Sequence, residues 1–512
     1  MITLQILLDA AQEVIENLGI NKEAKQLGKL VLNDEDFAQG DEKFKLWPAS
    51  GDRDAFRAAM TNGVEVIEFE DTRIVQAHEF FSLQVEEWLR IEDEEERNMR
   101  AHALTTALIG LIELVVIDLQ SGDDAYIIFE TLNARGTPLL ASDLVKNFIL
   151  QTADANNIDP DEINDLYWKD FGDKWWRKEI RQGRIVRPRI DIFLNYWLIA
   201  RTKEEVPSQK VFPIFRDYVK KSHQSIVEIV EDIKHVSKTY YQLDRFNSLS
   251  PEGTFIYRWK TMQAGVATPV LLQLFSADET LLTRERRLRC IRALESYLVR
   301  RMVCRMTTKD YNRLFLELLS RLEGNITVAD EVLIDYLGNQ TSDSRLWPTN
   351  ERFINAFLSL PLYRLLTRAR LRLVLEALEE ALRTDKAEEP YVSRGRLTIE
   401  HIMPQNWRDN WPLEIVPDPE EYHRMIGERE RIKHTIGNLT LVTNKLNPAL
   451  SNASWDVKQK GFMDHSILYL NKILIKKWGG KPFEENEIRE RGTELAELAC
   501  KIWPEPSRID EF

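Results

Sequence analysis

The chain of 512 residues carries 69 basic and 83 acidic side chains, a formal net charge of −14, with 43% hydrophobic and 30% charged residues. This balance excludes collagenous, disordered and membrane-embedded chains, and the length predicts about three domains, each with its own core. Cys290, Cys304 and Cys500 lie far apart in the sequence, which argues against a disulfide framework or a cysteine-ligated zinc site and favours a reducing cytoplasm. The negative charge argues against a surface that binds nucleic acid everywhere, so basic patches must be located one by one.

The chain begins with a segment whose spacing predicts an amphipathic helix. It has no basic region before its apolar residues and contains Asp9, so it is not typical of a signal peptide. The acidic run Glu92–Glu96 predicts a solvated helix face. The most apolar stretch, Ala103–Ile117, is interrupted by Glu113 and closed by Asp118, and it is too short for the ~20 residues that a bilayer requires. No membrane-spanning helix is predicted.

The next segment predicts a small amount of sheet in a mainly helical region. Residues 113–130 combine a β-branched run, a Ser-Gly-Asp-Asp turn and renewed apolar periodicity, which indicates strand, turn and helix. Gly136 and Pro138 indicate a further turn, after which Ser142 or Asp143 can cap the following helix.

Helical spacing dominates from about Asp159 to Leu382, and the pattern changes after Lys386. There RLTIEHIMPQ and GNLTLVT predict two strands, NPALSNASWDVKQKGF predicts a helix that starts at Pro448, and Glu484–Trp503 predicts a final amphipathic helix. These shifts predict three regions, 1–155, 156–385 and 386–512.

Candidate chemistry is concentrated in the last region, which holds four of the eight histidines: His401, His423, His434 and His465. The strand sequence Glu400-His401-Ile402-Met403-Pro404-Gln405 is followed in order by Gly437-Asn438-Leu439-Thr440-Leu441, Asn447 and Lys458. This ordered set resembles the ββα-metal, or HNH, nuclease motif.

The motif assigns each residue type a role in phosphodiester hydrolysis. A strand turns Glu400 and His401 to opposite faces unless it bends at its end. Such a bend would let the Glu400 carboxylate ligate the metal ion while His401, the expected general base, takes a proton from the attacking water. Asn447 can either cap a helix or ligate a hard cation such as Mg²⁺ or Mn²⁺. Asn438 would orient the imidazole through its backbone or side chain, and Lys458 would neutralise phosphate charge.

Each of these residues also has an ordinary structural interpretation. A histidine at a strand end is commonly a surface or core residue, Asn447 before a proline is commonly a cap, and Gly437-Asn438 is commonly a turn. Their combination in this order favours the nuclease interpretation. His434, just before Gly437, is the further histidine expected to touch substrate, whereas His423 and His465 are expected to be structural or auxiliary.

Further motifs lie in both halves of the chain. The C-terminal half carries IEHIMPQ, IGNLTLVTNKLNPALSN, the step Trp455-x-x-Lys458 and the pattern from Ile488-Arg489 to Ile502-Trp503; the N-terminal half carries FETLNARG at 129–136, then Leu139, Asp143, Lys146 and Asn147. Through these motifs both halves resemble the GmrSD family of modification-dependent, type IV restriction endonucleases. The resemblance implies a ParB/sulfiredoxin-like nucleotide-binding module followed by an HNH nuclease that acts on phage DNA with modified bases or backbones.

The chain departs from the family pattern at its start. Family members carry D-G-Q-Q-R just upstream of a segment that resembles residues 2–5, and this sequence begins at Met1. We therefore expect an N-terminally shortened module, in which the resemblance leaves Asn133, Arg135, Gly136 and Asp143 as the nucleotide-binding residues. An NTP stays an open cofactor alternative, and no GxxxxGK loop supports a P-loop.

Two basic stretches could hold DNA through phosphate contacts and base stacking. Residues 177–189 contain six Lys/Arg and one acid after Trp175-Trp176, and residues 284–313 contain ten Lys/Arg and three acids. The predicted contacts are Arg184, Arg187, Arg300 and Arg301. The alternative is that these arginines lie on solvated helix faces and pair with the abundant carboxylates.

Together these observations predict an α+β, predominantly α-helical protein with a partial ParB/sulfiredoxin-like N-terminal module, a helical middle and a C-terminal HNH domain. The expected activity is metal-dependent cleavage of double-stranded foreign DNA in a cytoplasmic phage-defence system, by a monomer or a homodimer. The alternative is a non-catalytic DNA- or nucleotide-binding regulator. A purely helical scaffold is disfavoured because it leaves the order from Glu400 to Lys458 unexplained.

Overall fold

A computed structural model describes residues 1–34, 38, 40–48, 52–61, 69–113, 140–182, 185–383, 393–413 and 416–511. The chain divides into two compact units, Met1–Phe129 and Glu130–Phe512. The predicted middle and C-terminal regions fall in the second unit, and the predicted boundaries within it stay a prediction. No helix among the described residues is long and apolar enough to cross a membrane.

The described part of the first unit is helical. Its helices are α1 (Ile2–Asn17), α2 (Asn21–Val31), α3 (Arg53–Ala59), α4 (Arg73–Leu89) and α5 (Glu94–Gly110), with a 3₁₀ turn at Gly40–Lys43. The helix predicted at the start of the chain is confirmed: Ile6, Ala10 and Val14 recur every four residues and are buried. The acidic run lies at the exposed start of α5, where Asp93 accepts hydrogen bonds from the backbone N–H groups of Glu95 and Glu96.

The described part of the second unit is also mainly helical and contains two antiparallel strand pairs. Up to residue 338 its elements are α6 (Ala141–Ala155), α7 (Pro160–Ile163), α8 (Lys174–Arg177), β1 (Glu179–Gln182), β2 (Ile185–Pro188), α9 (Arg189–Thr202), α10 (Val211–Lys221), α11 (Ile226–Leu243), α12 (Pro251–Met262), α13 (Thr268–Ser276), α14 (Arg284–Val303), α15 (Tyr311–Leu322) and α16 (Ala329–Gly338). It continues with α17 (Asn350–Ser359), α18 (Leu362–Leu365), α19 (Arg368–Ala381), β3 (Thr398–His401), α20 (Pro419–Ile432), β4 (Leu439–Val442), α21 (Asn447–Leu450), α22 (Trp455–His465), α23 (Tyr469–Trp478) and α24 (Glu485–Ile502). The predominantly helical α+β class and both predicted strands of the last region are confirmed.

A dense core surrounds the second strand pair. β3 pairs with β4, with His401 opposite Leu439 and Glu400 opposite Thr440, and α19 packs against both strands. Buried apolar side chains fill the space between the strands and the helices α20 to α24; they include Ile402, Met403, Trp407, Trp411, Val442, Leu450, Trp455, Phe462, Leu474, Trp478 and Ile488. This packing fixes the end of β3, which is where the predicted active residues lie.

The structure corrects two local predictions. Neither Ser142 nor Asp143 caps α6: the carboxylate of Asp191 accepts hydrogen bonds from the first two backbone N–H groups of that helix, at 3.2 and 3.1 Å. The single helix predicted from Pro448 is two helices, α21 and α22. Residues 451–454, Ser-Asn-Ala-Ser, break it because serine and asparagine side chains compete for backbone hydrogen bonds.

Two predicted features lie outside the described residues. These are the strand, turn and helix over residues 114–130 and the turn at Gly136 and Pro138. The hairpin of β1 and β2 was not predicted; it lies in the basic stretch 177–189, where Ile180, Ile185 and Val186 supply β-branched residues.

Candidate active site

The end of β3 separates Glu400 and His401. Because side chains alternate along a strand, the two residues face opposite sides of the sheet, and the bend that the predicted site requires at the strand end is not observed. Glu400 faces α22 and contacts Lys458, whereas His401 faces His434 in the turn after α20. The carboxylate and the imidazole therefore belong to two different environments.

His401 and His434 form a buried pair. His401 Nε2 lies 3.2 Å from His434 Nδ1, and the rings meet edge to face with centroids 5.3 Å apart. Burial is the first cause that lowers the pKa of His401, to about 3, and that of His434, to about 4; nearby cations lower both further. Both rings are neutral at pH 7, so each offers one N–H group and one lone pair. His434 Nε2 is buried and has no hydrogen-bond partner among the described residues.

Tyr363 covers this histidine pair. Its ring centroid lies 4.3 Å from that of His401, and its ring is nearly parallel to that of His434, at 5.7 Å and 9°. The Tyr363 backbone N–H donates to the His434 carbonyl oxygen at 3.2 Å, which ties α18 to the turn that carries this histidine. Arg368 begins α19, and its guanidinium carbon lies 3.4 Å from the centroid of the Tyr363 ring.

Sequence reasoning missed Tyr363, Arg364 and Arg368 because they belong to the predicted helical middle. The contact between Tyr363 and His434 joins residues 71 positions apart in the chain, and no local motif announces it. The only available signal was that α18 and α19 directly precede the segment leading to β3.

Asn438 holds the backbone on both sides of the histidine pair. Its side-chain oxygen accepts from the Met403 N–H at 2.7 Å, and its amide nitrogen donates to the carbonyl oxygens of Met403 and Lys433, both at 2.8 Å. Its own carbonyl oxygen accepts from the Ile402 N–H at 2.8 Å. Asn438 thus fixes the residues that follow His401 and precede His434, and it acts through the backbone rather than through a bond to the imidazole.

Gly437 is required by close packing against α24. A Cβ atom at this position would lie 2.0 Å from the Ile488 carbonyl oxygen and 3.0 Å from the Gly492 nitrogen. Arg491 of the same helix donates to the carbonyl oxygens of Gly437 and Leu439, at 2.7 and 2.9 Å, and burial lowers its pKa to about 9. The helix and the turn are therefore held together by direct backbone contact and by one buried guanidinium.

Lys458 is an interior residue. Its ammonium group donates to Glu400 Oε1 at 2.5 Å and to the His401 carbonyl oxygen at 2.6 Å, and its exposed fraction is 0%. Burial raises the pKa of Glu400 and lowers that of Lys458, while their mutual attraction opposes both shifts. This placement contradicts the predicted contact between Lys458 and a DNA phosphate, because the charge is already used inside the fold.

The predicted metal ligands do not come together in this arrangement. Glu400 is neutralised by an ammonium group, and Asn447 lies half-buried at the first position of α21, with Leu446 preceding the helix. Among the described residues, no hydrogen bond joins Glu400 to Asn447, and no group of three or more His, Cys, Asp or Glu side chains could hold a metal ion. A divalent cation at Glu400 would have to displace Lys458, so Glu400 and Asn447 do not fit a Mg²⁺ site as the side chains stand.

Arg300 and Arg301 are buried, which does not fit the DNA contacts predicted for them. Both are 0% exposed on α14. Arg300 donates to the carbonyl oxygens of Trp503 and Pro348, at 2.6 and 2.8 Å, and Arg301 donates to that of Leu346 at 2.6 Å. Unpaired carbonyl oxygens inside the fold need donors, and a long guanidinium supplies several at once.

Other arginines of the same stretch are neutralised by carboxylates. Arg286 and Arg289 both pair with buried Asp330, and Arg313 pairs with Glu317. For these residues of 284–313 the structure agrees with the alternative interpretation, in which arginines pair with acids.

The stretch 177–189 is only partly engaged. Arg187 donates to Gln182 at 2.9 Å, burial lowers its pKa, and its Nε and Nη1 atoms have no hydrogen-bond partner among the described residues. Arg177 pairs with Asp143 at 3.0 Å, so this predicted nucleotide-binding carboxylate has a cation partner. Arg184 and the other predicted nucleotide-binding residues, Asn133, Arg135 and Gly136, lie outside the described residues.

Two family comparisons cover the ends of the chain. Residues 347–498, which include the strand pair and the histidine pair, match the model described as GmrSD restriction endonucleases, C-terminal domain. Residues 1–150 match the model described as GmrSD restriction endonuclease, N-terminal domain. The protein is thus a restriction endonuclease, a class of enzyme whose substrate is DNA.

More specifically, the chain belongs to the GmrSD family. No curated protein matches it. The matched C-terminal domain begins at residue 347, earlier than the predicted boundary at 386, and it therefore includes the three residues around α18 that cover the histidine pair.

Proposed function

We propose that the chain hydrolyses phosphodiester bonds of foreign, modified DNA at an HNH-type site centred on His401, as part of a phage-defence restriction system. The observation that carries this proposal is the buried, neutral pair of His401 and His434 at the end of β3, inside the nuclease-family domain. The order of β3, β4 and α22 supports a ββα arrangement. Nuclease domains of this kind generally depend on a divalent metal ion.

His401 is the proposed proton acceptor. A general base must be unprotonated before the reaction, and the lowered pKa of His401 ensures this at neutral pH. A pKa of about 3 makes a weak base, but an anionic phosphate beside the ring would stabilise its charged form and raise that pKa. The base would therefore become stronger when the substrate arrives.

Glu400 and Asn438 support this role from two sides. The pair of Glu400 and Lys458 anchors the end of β3, since the ammonium group also binds the His401 carbonyl oxygen. Asn438 fixes the next two residues through Ile402 and Met403. Both sets of contacts limit the movement of the imidazole. Proton transfer requires such a fixed position.

The N-terminal region is proposed to bind a nucleotide that regulates cleavage. This rests on the family resemblance at Asn133, Arg135, Gly136 and Asp143. Cleavage of the two DNA strands by a homodimer of the chain stays a prediction.

The test is cleavage of phage genomic DNA, modified and unmodified, by the purified chain with Mg²⁺ or Mn²⁺, with and without NTP. His401→Ala should lower the cleavage rate by about 10²-fold or more and leave DNA affinity largely unchanged, because a base acts in the transition state. His465→Ala, an exposed histidine at the end of α22, is the matched control and should cut normally.

Full cleavage by His401→Ala would overturn the assignment. DNA binding without cleavage under every condition would instead support the non-catalytic regulator.

A further inference from the structure

The short helix α18 brings two exposed arginines next to the histidine pair. Tyr363 contacts both imidazole rings and binds the His434 carbonyl oxygen, so its neighbours in the chain are held at the same place. Arg364 follows it directly, and Arg368 lies over its ring at 3.4 Å. Both arginines are exposed, whereas the histidines beneath them are buried.

These two arginines lack the acidic partners that nearby arginines have. Arg372 on α19 pairs with Glu376, and Arg383, two residues beyond the end of α19, pairs with Glu379. Among the described residues, no carboxylate forms an ion pair with Arg364 or Arg368; the contacts of Arg368 are the ring and the carbonyl oxygen of Tyr363. In a chain with a net charge of −14, two such cations beside a buried site leave a local positive surface.

The geometry of Arg368 suits an anionic ligand. Its guanidinium carbon lies 3.4 Å from the centroid of the Tyr363 ring, a cation–π contact that limits the movement of the group, and a guanidinium carries its N–H groups in a fork that matches phosphate oxygens. The positive field of both arginines also reaches the pair below: Arg364 and Arg368 contribute to the lowered pKa of His434, and Arg368 to that of His401.

We propose that Arg364 and Arg368 bind backbone phosphates of duplex DNA next to the bond that is cut, so that the DNA lies across α18 above Tyr363. The proposal rests on the proposed nuclease function of the histidine pair. It places the DNA contact on a segment that sequence reasoning assigned to the helical middle, instead of on Arg300 and Arg301. Phosphate contacts of this kind position the duplex and carry no sequence information.

The experiment measures the affinity of the full chain for a duplex oligonucleotide by fluorescence anisotropy, without divalent ions, from about 50 to about 200 mM salt. Each phosphate contact contributes about 0.9 to the slope of log affinity against log salt concentration. Replacing both side chains, Arg364→Gln/Arg368→Gln, should lower that slope by about two units and weaken binding at every salt concentration. Arg424→Gln, an exposed arginine on α20 paired with Glu421, is the matched control and should leave the slope unchanged.

Cleavage kinetics form the second readout. The double variant should raise KM at physiological salt and recover at low salt, whereas His401→Ala should lower kcat with binding intact. An unchanged slope and affinity in the folded double variant overturn the proposal, even if the wild type cuts DNA. If the wild type binds DNA with the expected arginine dependence but never cuts it, the nuclease function fails and the phosphate site stands; a wild type that binds no DNA overturns both.

Discussion

The substitution Lys458→Met tests whether the pair of Glu400 and Lys458 is held together for stability. The change removes a cation from a Glu400 side chain that is only 8% exposed, and it leaves the carboxylate uncompensated inside the fold. Loss of one partner of a buried ion pair costs about 3–5 kcal/mol. The His401 carbonyl oxygen also loses its donor, which costs about 1 kcal/mol more.

The double variant Glu400→Gln/Lys458→Met separates charge from packing. It removes both charges, so most of the loss should be recovered, and it should lie within about 2 kcal/mol of the wild type. The coupling energy between the two sites should be about 3 kcal/mol. Urea unfolding followed by tryptophan fluorescence measures the change, and Lys460→Met, exposed on the same helix, is the control.

Two results would refute this reasoning. One is a Lys458→Met variant within about 1 kcal/mol of the wild type, and the other is a double variant no more stable than the single one. The cleavage rate of the double variant tests whether Glu400 ligates a metal ion. Restored stability with full activity would exclude Glu400 as an obligatory metal ligand. Restored stability with no activity would support the predicted role of Glu400 as a metal ligand.

Three further predictions concern the same unit. The pKa values of His401 and His434 are lowered from 6.5 to about 3 and about 4, so the unfolded chain takes up protons before the folded chain does as the pH falls. The free energy of unfolding should therefore be highest above about pH 6.5 and decrease towards pH 4. His401→Gln should make this dependence shallower by about 1.4 kcal/mol per pH unit, as measured by urea titrations at several pH values. A slope unaffected by the substitution contradicts the lowered values. Gly437→Ala should destabilise the fold by about 2 kcal/mol in thermal unfolding, because its Cβ atom would overlap the Ile488 carbonyl oxygen. Gly427→Ala, inside α20, is the control: its Cβ atom would have no neighbour within 4 Å, so the substitution should be neutral or stabilising. Arg300→Met should lower stability by about 3 kcal/mol through its lost hydrogen bonds, and the folded variant should keep its salt-dependent DNA affinity; weaker binding would show that the guanidinium reaches DNA after all.

The parts of the site that sequence reasoning reached are those set by local rules. Both strands of the last region were found, and alternation along β3 places Glu400 and His401 on opposite sides because a strand has a period of two residues. The bend that would have brought the two side chains to one site is not observed. The final helix was also found, since amphipathic spacing and a Glu484 capping box define it locally. The identity of the partners on each face was not accessible: Lys458 and His434 come from distant segments.

Arginine spacing was misleading for a similar reason. In α14 a helical pattern with many arginines favours a solvated or DNA-facing surface, but Arg300 and Arg301 point inwards. They do so because the interior contains carbonyl oxygens of residues 346, 348 and 503 that need donors, and the sequence does not reveal where those oxygens will lie. The cap of α6 could not be predicted for the same reason, since Asp191 is remote in sequence from the helix that it caps.

Residues 491–504 contact segments that precede them in the chain by up to about 200 residues. Arg300 and Ser296 on α14 bind the carbonyl oxygens of Trp503 and Pro504, and Arg491 binds the turn at Gly437. During synthesis a chain emerges from the ribosome in order, so these contacts cannot form until residues 491–504 have left it. A growing chain that ends between residues 434 and 484 therefore already contains His401 and His434 but lacks the helix that holds their turn in place. The turn that carries His434 would therefore gain its support from Arg491 only after α24 has been made.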